Sequence, residues 1–150
     1  MPTAKRKTAK AVGKKRSFER RHYNYGRWTK GRFSEAVTVT GPAKMIFLAG
    51  IGSEHEQTGK IMHPGDFDAQ CRYAFLKLKK VLAKNGARLS DVVKQVTYVT
   101  DARYVKQAGE RRREAYGKAP LPAHTFVNVS QLAWPDMMVE IDVIAMAPAH

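Results

Sequence analysis

The segment from Pro122 to Ala147 constrains the fold most, because it contains two stretches in which apolar and polar residues alternate. Alternation at a period of two predicts β-strands. In the first stretch His124 and Phe126 share one face of the strand, and in the second Glu140 and Asp142 share a face. We therefore predict an imidazole and two carboxylates on neighbouring sheet positions, and a candidate site for chemistry between them.

The basic charge of the chain is concentrated near its start. Of the formal net charge of +14, residues 1–32 contribute +11, with twelve Lys or Arg against Glu19, and residues 33–150 contribute +3, with fifteen against twelve acids. This predicts a basic, disordered arm over residues 1–31 and a folded domain over residues 32–150. Aromatic residues in the second half of the arm either stack on nucleic-acid bases or pack against protein, of which we favour packing.

Periodicity predicts the element order β-β-α-β-α-β-β. The first two strands, residues 36–40 and 45–49, are predicted to form an antiparallel hairpin around a Gly-Pro turn. The helical crossover to the third strand, residues 92–100, predicts that the second and third strands are parallel neighbours. Two helices on one face make the class α+β with a mixed sheet. The other face would be uncovered, which favours oligomerisation. We assign to it His124, Phe126, Glu140 and Asp142.

The two helices have clear boundary signals. Asp66 is predicted to cap the first helix, Asn85-Gly86 to end it, and Asp101 to cap the second. The run Arg111 to Arg113 is interpreted as solvated surface of the second helix. The predicted buried stripe of that helix is Tyr104, Val105, Ala108, Ala115 and Tyr116.

The remaining composition narrows the functional class. Cys71 is the single cysteine, which we interpret as a small buried residue in a reducing compartment. Apolar runs are too short to span a membrane and no secretory signal is present, so we expect a cytoplasmic protein without a membrane partner. His55 and His63 lack the spacing of metal ligands, and no glycine-rich phosphate loop occurs; we expect no metal and no cofactor.

Several short motifs together resemble, in order and spacing, the Rid family of reactive-intermediate deaminases, also called YjgF-like proteins or L-PSP endoribonucleases. The motifs lie at residues 32–37, 48–52, 58–59, 66–70, 82–86, 92–101, 122–125 and 139–145. The resemblance covers about residues 32–147. It implies a chorismate-mutase-like fold, a homotrimer with clefts between subunits, a small carboxylate as ligand, and hydrolysis of enamines or imines to 2-oxo acids and ammonia.

The resemblance also implies site residues, with departures from the family pattern. Gly50 and Glu140 match the family glycine and carboxylate. Phe33 stands where the family has a tyrosine and Phe126 where it has a cysteine. His124 replaces the arginine of the Pro-Ala-Arg motif. The family asparagine of the second helix falls near Gly109.

The change to His124 alters ligand binding, because a neutral imidazole cannot offer the two parallel N–H bonds with which arginine grips a carboxylate. The loss is worth a few kcal/mol, on the order of one charge-assisted hydrogen bond. The simple 2-iminoacid substrate is therefore not expected to be the best one. Either His124 acts as a donor or acid–base group beside Glu140, or it is a satisfied interface residue. Asp142 is interpreted as an ion-pair residue as readily as a site residue.

Three functions remain open on this basis. The first is a Rid-like deaminase, with water positioned by Glu140 and with His124 in place of the arginine; Phe33, Gly50 and Phe126 would bind substrate. The second is a non-catalytic trimer that binds a small metabolite. The third is RNA binding through the basic arm, whose affinity would fall steeply with salt.

Overall fold

The computed structural model describes residues 17–149, which form a mixed sheet packed under two helices and a separate two-stranded sheet. The helices are α1 (Phe67–Lys84) and α2 (Val105–Tyr116). The strands are β1 (Glu19–Tyr23), β2 (Ala36–Thr40), β3 (Ala43–Phe47), β4 (Val92–Val99), β5 (Ala123–Asn128) and β6 (Val139–Pro148). The α+β class is confirmed. Within residues 17–149, no helix has the length and apolarity needed to cross a bilayer.

The helix boundaries follow the predicted signals. The side chain of Asp66 accepts a hydrogen bond of 3.0 Å from the backbone N–H of Ala69 and so caps α1. Asn85 ends the helix, followed by Gly86 at φ +71°. Asp101 caps a short 3-10 turn that leads into α2. On α2 the predicted buried stripe is wrong for Val105, which is exposed.

The four-stranded sheet has the order β3-β6-β4-β5. β6 runs antiparallel to both of its neighbours, and β4 and β5 are parallel across the α2 crossover. The prediction that the second and third strands are neighbours, here β3 and β4, is wrong, because β6 lies between them. β6 has a continuous row of buried apolar residues, Val139, Ile141, Val143 and Ala145, and such a strand is best stabilised at the centre of a sheet.

The predicted hairpin between the first two strands of the domain is also wrong. β2 pairs with β1 in a separate sheet, whereas β3 pairs with β6. The chain turns between β2 and β3 at Gly41, which has φ +85° and lies so close to the backbone of Ser17 that a Cβ would overlap it. The N-terminal strand thus takes the pairing partner that the hairpin would have used.

The N-terminal strand corrects the prediction of a disordered arm over residues 1–31. Residues 1–16 lie outside the described part, but β1 is an ordered strand. Arg20 of β1 donates to the carbonyl of Ser90 at 2.8 Å and pairs with Asp91 at 3.0 Å, and also donates to the carbonyl of Met146. The segment is rich in charge and has no apolar alternation, so its order depends on hydrogen bonds that the sequence pattern does not reveal.

The two faces of the four-stranded sheet differ. The α1 and α2 helices cover one face, where Leu78 and Leu82 pack with the apolar residues of β6. The opposite face carries no helix among the described residues. Phe47 and Met45 on that open face are 68% and 53% exposed, which is a large apolar exposure for a sheet face.

Candidate functional site

A cavity of about 760 Å³ opens on the helix side of the sheet, at its β5 edge. It lies between the loop that precedes β2, the outer side of α2 and the start of β5. Residues from all three line its wall, among them Trp28, Phe33, Gly109, Arg112, His124 and Phe126. The volume is typical of a small-molecule site.

The strand register decides which face each candidate residue occupies. His124 lies beside Gln95 of β4, and both Gln95 and Thr97 are buried on the side of the helices. Glu140 lies beside Tyr98, on the opposite side of β4. The prediction that His124, Phe126, Glu140 and Asp142 share the uncovered face is therefore wrong for the first two. Alternation shows which residues of one strand share a face, but not which face of the sheet they take.

The same register separates His124 from Glu140 within one chain. β4 lies between their strands, so they are not on neighbouring positions. His124 is paired with Gln95 of β4, and Glu140 is paired with Tyr98, three residues further along β4. At about 3.3 Å per residue and about 4.8 Å per strand, their backbones lie about 14 Å apart. One copy of the chain does not bring the two groups together.

A chain of hydrogen bonds fixes the ring of His124. The hydroxyl of Tyr116 donates to Gln95 Oε1 at 2.9 Å, and Gln95 Nε2 donates to Thr97 Oγ1 at 2.9 Å. Thr97 Oγ1 lies 2.9 Å from His124 Nε2. Because the threonine oxygen already accepts from Gln95, its own hydrogen is free to be donated to Nε2. This orientation favours the tautomer with the proton on Nδ1, which makes the ring a donor toward its remaining surroundings.

His124 is neutral at physiological pH. Burial is the main cause that lowers its pKa from 6.5 to about 3, and the positive charges of Arg112 and Lys94 act in the same direction. The imidazolium form that would act as a general acid is therefore absent near pH 7. What His124 offers there is one N–H donor.

Arg112 is the charged group that the sequence analysis missed. It is 8% exposed, and its Nη2 donates to the carbonyl of Arg32 at 2.7 Å. Burial lowers its pKa to about 10, which still leaves it charged at neutral pH. The interpretation of the arginine run as solvated surface is wrong for this residue. A signal was present, because position 112 lies four residues after Ala108 and four before Tyr116, on the predicted buried stripe.

Aromatic rings line the mouth side of the cavity. The rings of Trp28 and Phe33 meet edge to face with centroids 5.7 Å apart, and Phe33 lies 6.5 Å from the His124 ring. Phe126 follows on the same strand face. The cavity therefore combines flat apolar surface with a buried cation.

Gly50 and Glu140 meet on the open face. A Cβ placed on Gly50 would overlap the Glu140 side chain, so only glycine lets the carboxylate lie against the backbone there. Burial raises the pKa of Glu140, and the negative charges of Glu54 and Asp142 raise it further. A carboxylate with a raised pKa is a better proton acceptor near neutral pH than an ordinary one.

Known proteins resemble this chain in sequence and in fold. The family model described as endoribonuclease L-PSP matches residues 27–147. The chain belongs to this family. A RutC family protein of Pyrococcus abyssi is 33% identical over 77% of this chain and 86% of its own length. A reactive intermediate deaminase of Escherichia coli, TdcF, is 27% identical over 70% of this chain and 81% of its own. The crystal structure of YyfB, a Rid family protein of Yersinia pestis, covers 85% of this chain and 98% of its own, with 29% identity and a TM-score of 0.75.

The positions implied by the Rid resemblance fall into two groups. Phe33, His124 and Phe126 line the cavity, together with Gly109 on α2. Gly50 and Glu140 lie together on the open face instead. The structure therefore keeps each group intact but does not unite the two within one copy.

Other residues that the sequence singled out lie away from both groups. Cys71 is buried and burial raises the pKa of its thiol to about 12, which confirms the interpretation as a small core residue. The His63 ring meets Tyr73 edge to face. Over residues 17–149, no group of three or more His, Cys, Asp or Glu is arranged to hold a metal ion.

Proposed function

We propose that this Rid-family protein hydrolyses the enamine or imine of a small carboxylate and releases ammonia. The observation that supports this most is the Gly50–Glu140 pair, in which a carboxylate with a raised pKa lies against bare backbone on a face that carries no helix within residues 17–149. A carboxylate in that condition is suited to take a proton from water.

The active unit in this proposal is a homotrimer, with a cleft at each subunit boundary. The exposed Phe47 and Met45 on the open face favour burial against another copy. The separation of about 14 Å between His124 and Glu140 also favours a cleft shared by two copies. One copy would supply the cavity with His124, and the next would supply Glu140.

The chemistry assigns one task to each group. The neutral imidazole of His124 donates a hydrogen bond that orients the substrate. Glu140 accepts a proton from water as the water oxygen bonds to the C=N carbon. Glu140 passes this proton to the nitrogen, and the proton of the new hydroxyl group then moves to the nitrogen through the same carboxylate. The C–N bond breaks as the C=O bond forms, and a carbonyl compound and ammonia leave. One water is consumed for each ammonia released, and no oxidant or reductant is required.

Ammonia release from a panel of enzymatically generated imines of 2-amino acids, including cyclic and aromatic ones, tests the proposal. We expect Glu140→Gln to lower kcat by a factor of about 100 to 10,000. Glu56→Gln is the matched control, because it makes the same chemical change at a carboxylate that pairs with Lys80 instead of lying against Gly50. The proposal is wrong if Glu140→Gln turns over the panel as fast as the parent.

A non-catalytic binding role is the second candidate. The departures at Phe33, Gly109, His124 and Phe126 favour it, since each removes a polar group that the Rid resemblance implies for the cleft. In that case ligands raise the melting temperature without turnover. Measuring ammonia in the same samples separates the two candidates.

RNA binding by residues 1–31 is a further candidate, favoured by the 87% exposure of Tyr25 and the 67% exposure of Trp28 among basic residues. Because β1 is ordered, deletion of residues 1–16 is a cleaner test than deletion through residue 31. RNA affinity should fall on this deletion and on Tyr25→Ala, and should drop steeply with salt. Unchanged affinity in both variants would exclude this role.

A further inference from the structure

We propose that Arg112 supplies the guanidinium that binds the substrate carboxylate, in place of the arginine that the Rid resemblance implies at position 124. The inference rests on the proposed function to the extent that the cavity is the substrate site. Arg112 reaches this cavity from α2, whereas His124 reaches it from β5. In this proposal the cavity retains a positively charged guanidinium, but α2 supplies it instead of β5.

The hydrogen bonds of Arg112 leave most of its donors unused. Its guanidinium carries five N–H groups, and over residues 17–149 only Nη2 has a protein acceptor, the carbonyl of Arg32. Nε is buried and has no acceptor there. A buried cation with unsatisfied donors is unfavourable unless an anion completes it. A carboxylate in the cavity would provide two acceptor oxygens and a compensating charge.

No acid of the described chain neutralises Arg112. Of the three arginines on α2, the one with ion pairs within residues 17–149 is its neighbour Arg111, which meets Asp68, Glu110 and Glu114. Arg113 is committed differently, because its guanidinium donates to the carbonyls of Gly31, Gly117 and Ala119. Among the three consecutive arginines, Arg112 is the one that, within the described part of the chain, lacks both an ion pair and a full set of carbonyl acceptors.

The aromatic residues that line the cavity indicate the rest of the ligand. Trp28, Phe33 and Phe126 supply flat apolar surface, and about 760 Å³ exceeds what a short aliphatic acid fills. The substrate class is therefore a carboxylate that carries a ring or another planar apolar group. The neutral N–H of His124 adds a single hydrogen bond to such a ligand.

Calorimetric titration with phenylacetate, phenylacetamide and acetate tests the inference on the full chain. Phenylacetate has the ring and the charge, phenylacetamide has the ring alone, and acetate has the charge alone. We expect phenylacetate to bind at least about tenfold more tightly than either comparison ligand, as expected for a charge-assisted contact combined with ring packing. If the parent does not prefer phenylacetate over phenylacetamide, the inference is wrong.

Variants then assign the charge preference to a residue. Arg112→Gln should weaken phenylacetate by about 10- to 100-fold and leave phenylacetamide nearly unchanged. Arg103→Gln is the charge-matched control, because Arg103 is on the exposed surface before α2 and pairs with Asp101. Arg112→Lys keeps the charge but not the fork, and should lie between the parent and Arg112→Gln. If Arg112→Gln does not fold, the loss of preference in Arg112→Lys decides the question.

The outcomes separate this inference from the proposed function. If phenylacetate binds through Arg112 but no imine is hydrolysed, the anion site stands and the deaminase proposal fails. If imines are hydrolysed in a Glu140-dependent way and Arg112→Gln leaves both the KM and phenylacetate binding unchanged, the deaminase proposal stands. In that case the assignment of Arg112 is wrong.

Discussion

Replacing Gly50 by alanine should remove activity while leaving the fold nearly intact. The backbone of Gly50 lies against the Glu140 side chain, where a Cβ would lie 2.6 Å from Cδ and 2.9 Å from Cγ. Ordinary contact begins near 3.4 Å, so the carboxylate must move by about 1 Å to relieve the overlap. A displacement of that size in a catalytic group can lower kcat about 100-fold.

The cost in stability should be small for a physical reason. The overlapping atoms belong to the end of a flexible, partly exposed side chain, which can rotate away. We expect the free energy of unfolding to change by less than about 1 kcal/mol. Thermal melting and steady-state ammonia release on the same preparation measure both quantities.

Gly52→Ala is the control for glycine replacement in the same loop. A Cβ at Gly52 would lie 2.6 Å from Cε of Met137 and 3.1 Å from the carbonyl oxygen of Val139, both in the interior. This variant should lose stability, because the backbone of β6 cannot move aside cheaply. Parent-like kcat in Gly50→Ala would refute a catalytic role for Glu140. A Gly50→Ala protein that melts as low as Gly52→Ala would show that the contact is structural.

Three further predictions concern pH and assembly. The folded chain holds the pKa of His124 near 3, below the ordinary histidine value of 6.5. The stability that the neutral ring contributes is therefore fully present above pH 6.5 and is lost as the pH falls toward 3. Urea unfolding should show a loss of at most about 2 kcal/mol between about pH 7 and pH 5 from this group, and His124→Gln should remove that slope. The pKa of Glu140 is raised by burial, Glu54 and Asp142, so its ionised form destabilises the fold. Glu140→Gln should therefore have a higher melting temperature than the parent at neutral pH and the same melting temperature below about pH 4. A lower melting temperature of the variant at neutral pH would contradict this. Phe47→Asp should reduce the mass measured by light scattering to that of a monomer, without loss of the helical circular dichroism signal. Leu76→Asp, which changes an exposed site of α1, should keep the mass of the parent. An unchanged mass in Phe47→Asp would exclude the open face as the interface.

Local signals predicted the helices, and the family motifs predicted the fold. Asp66 and Asn85 bound α1 as expected, because capping depends on residues within one turn of each other. The pairing of strands was predicted less well. The separation of β2 from β3 and the insertion of β6 depend on which distant segment offers the better partner, here β1 with its Arg20 contacts. A sequence period contains no information about that competition.

The candidate site shows the same limit at the level of side chains. The residues of the two groups were named from motif positions, and the face was assigned wrongly for His124 and Phe126, because the parallel pairing of β4 with β5 sets their face. Arg112 was overlooked because three consecutive arginines suggest a solvated surface, although a helix places neighbours about 100° apart and can bury only one of them.

The arrangement of charge explains why losing an arginine at position 124 need not end anion binding. A guanidinium at Arg112 and an imidazole at His124 line one cavity, and burial, with the positive charge of Arg112 as a lesser cause, lowers the pKa of the imidazole and keeps it neutral. A histidine alone at that position would be a poor carboxylate ligand, and an arginine there beside Arg112 would place two cations in one apolar cavity. The residues at these two positions therefore depend on each other. When α2 supplies the positive charge, a small neutral donor on β5 is more favourable beside it than a second cation. The backbone of Glu140 lies about 14 Å from that of His124 in the same copy, so in the proposed trimer a substrate held by Arg112 would meet the carboxylate across a boundary between two chains.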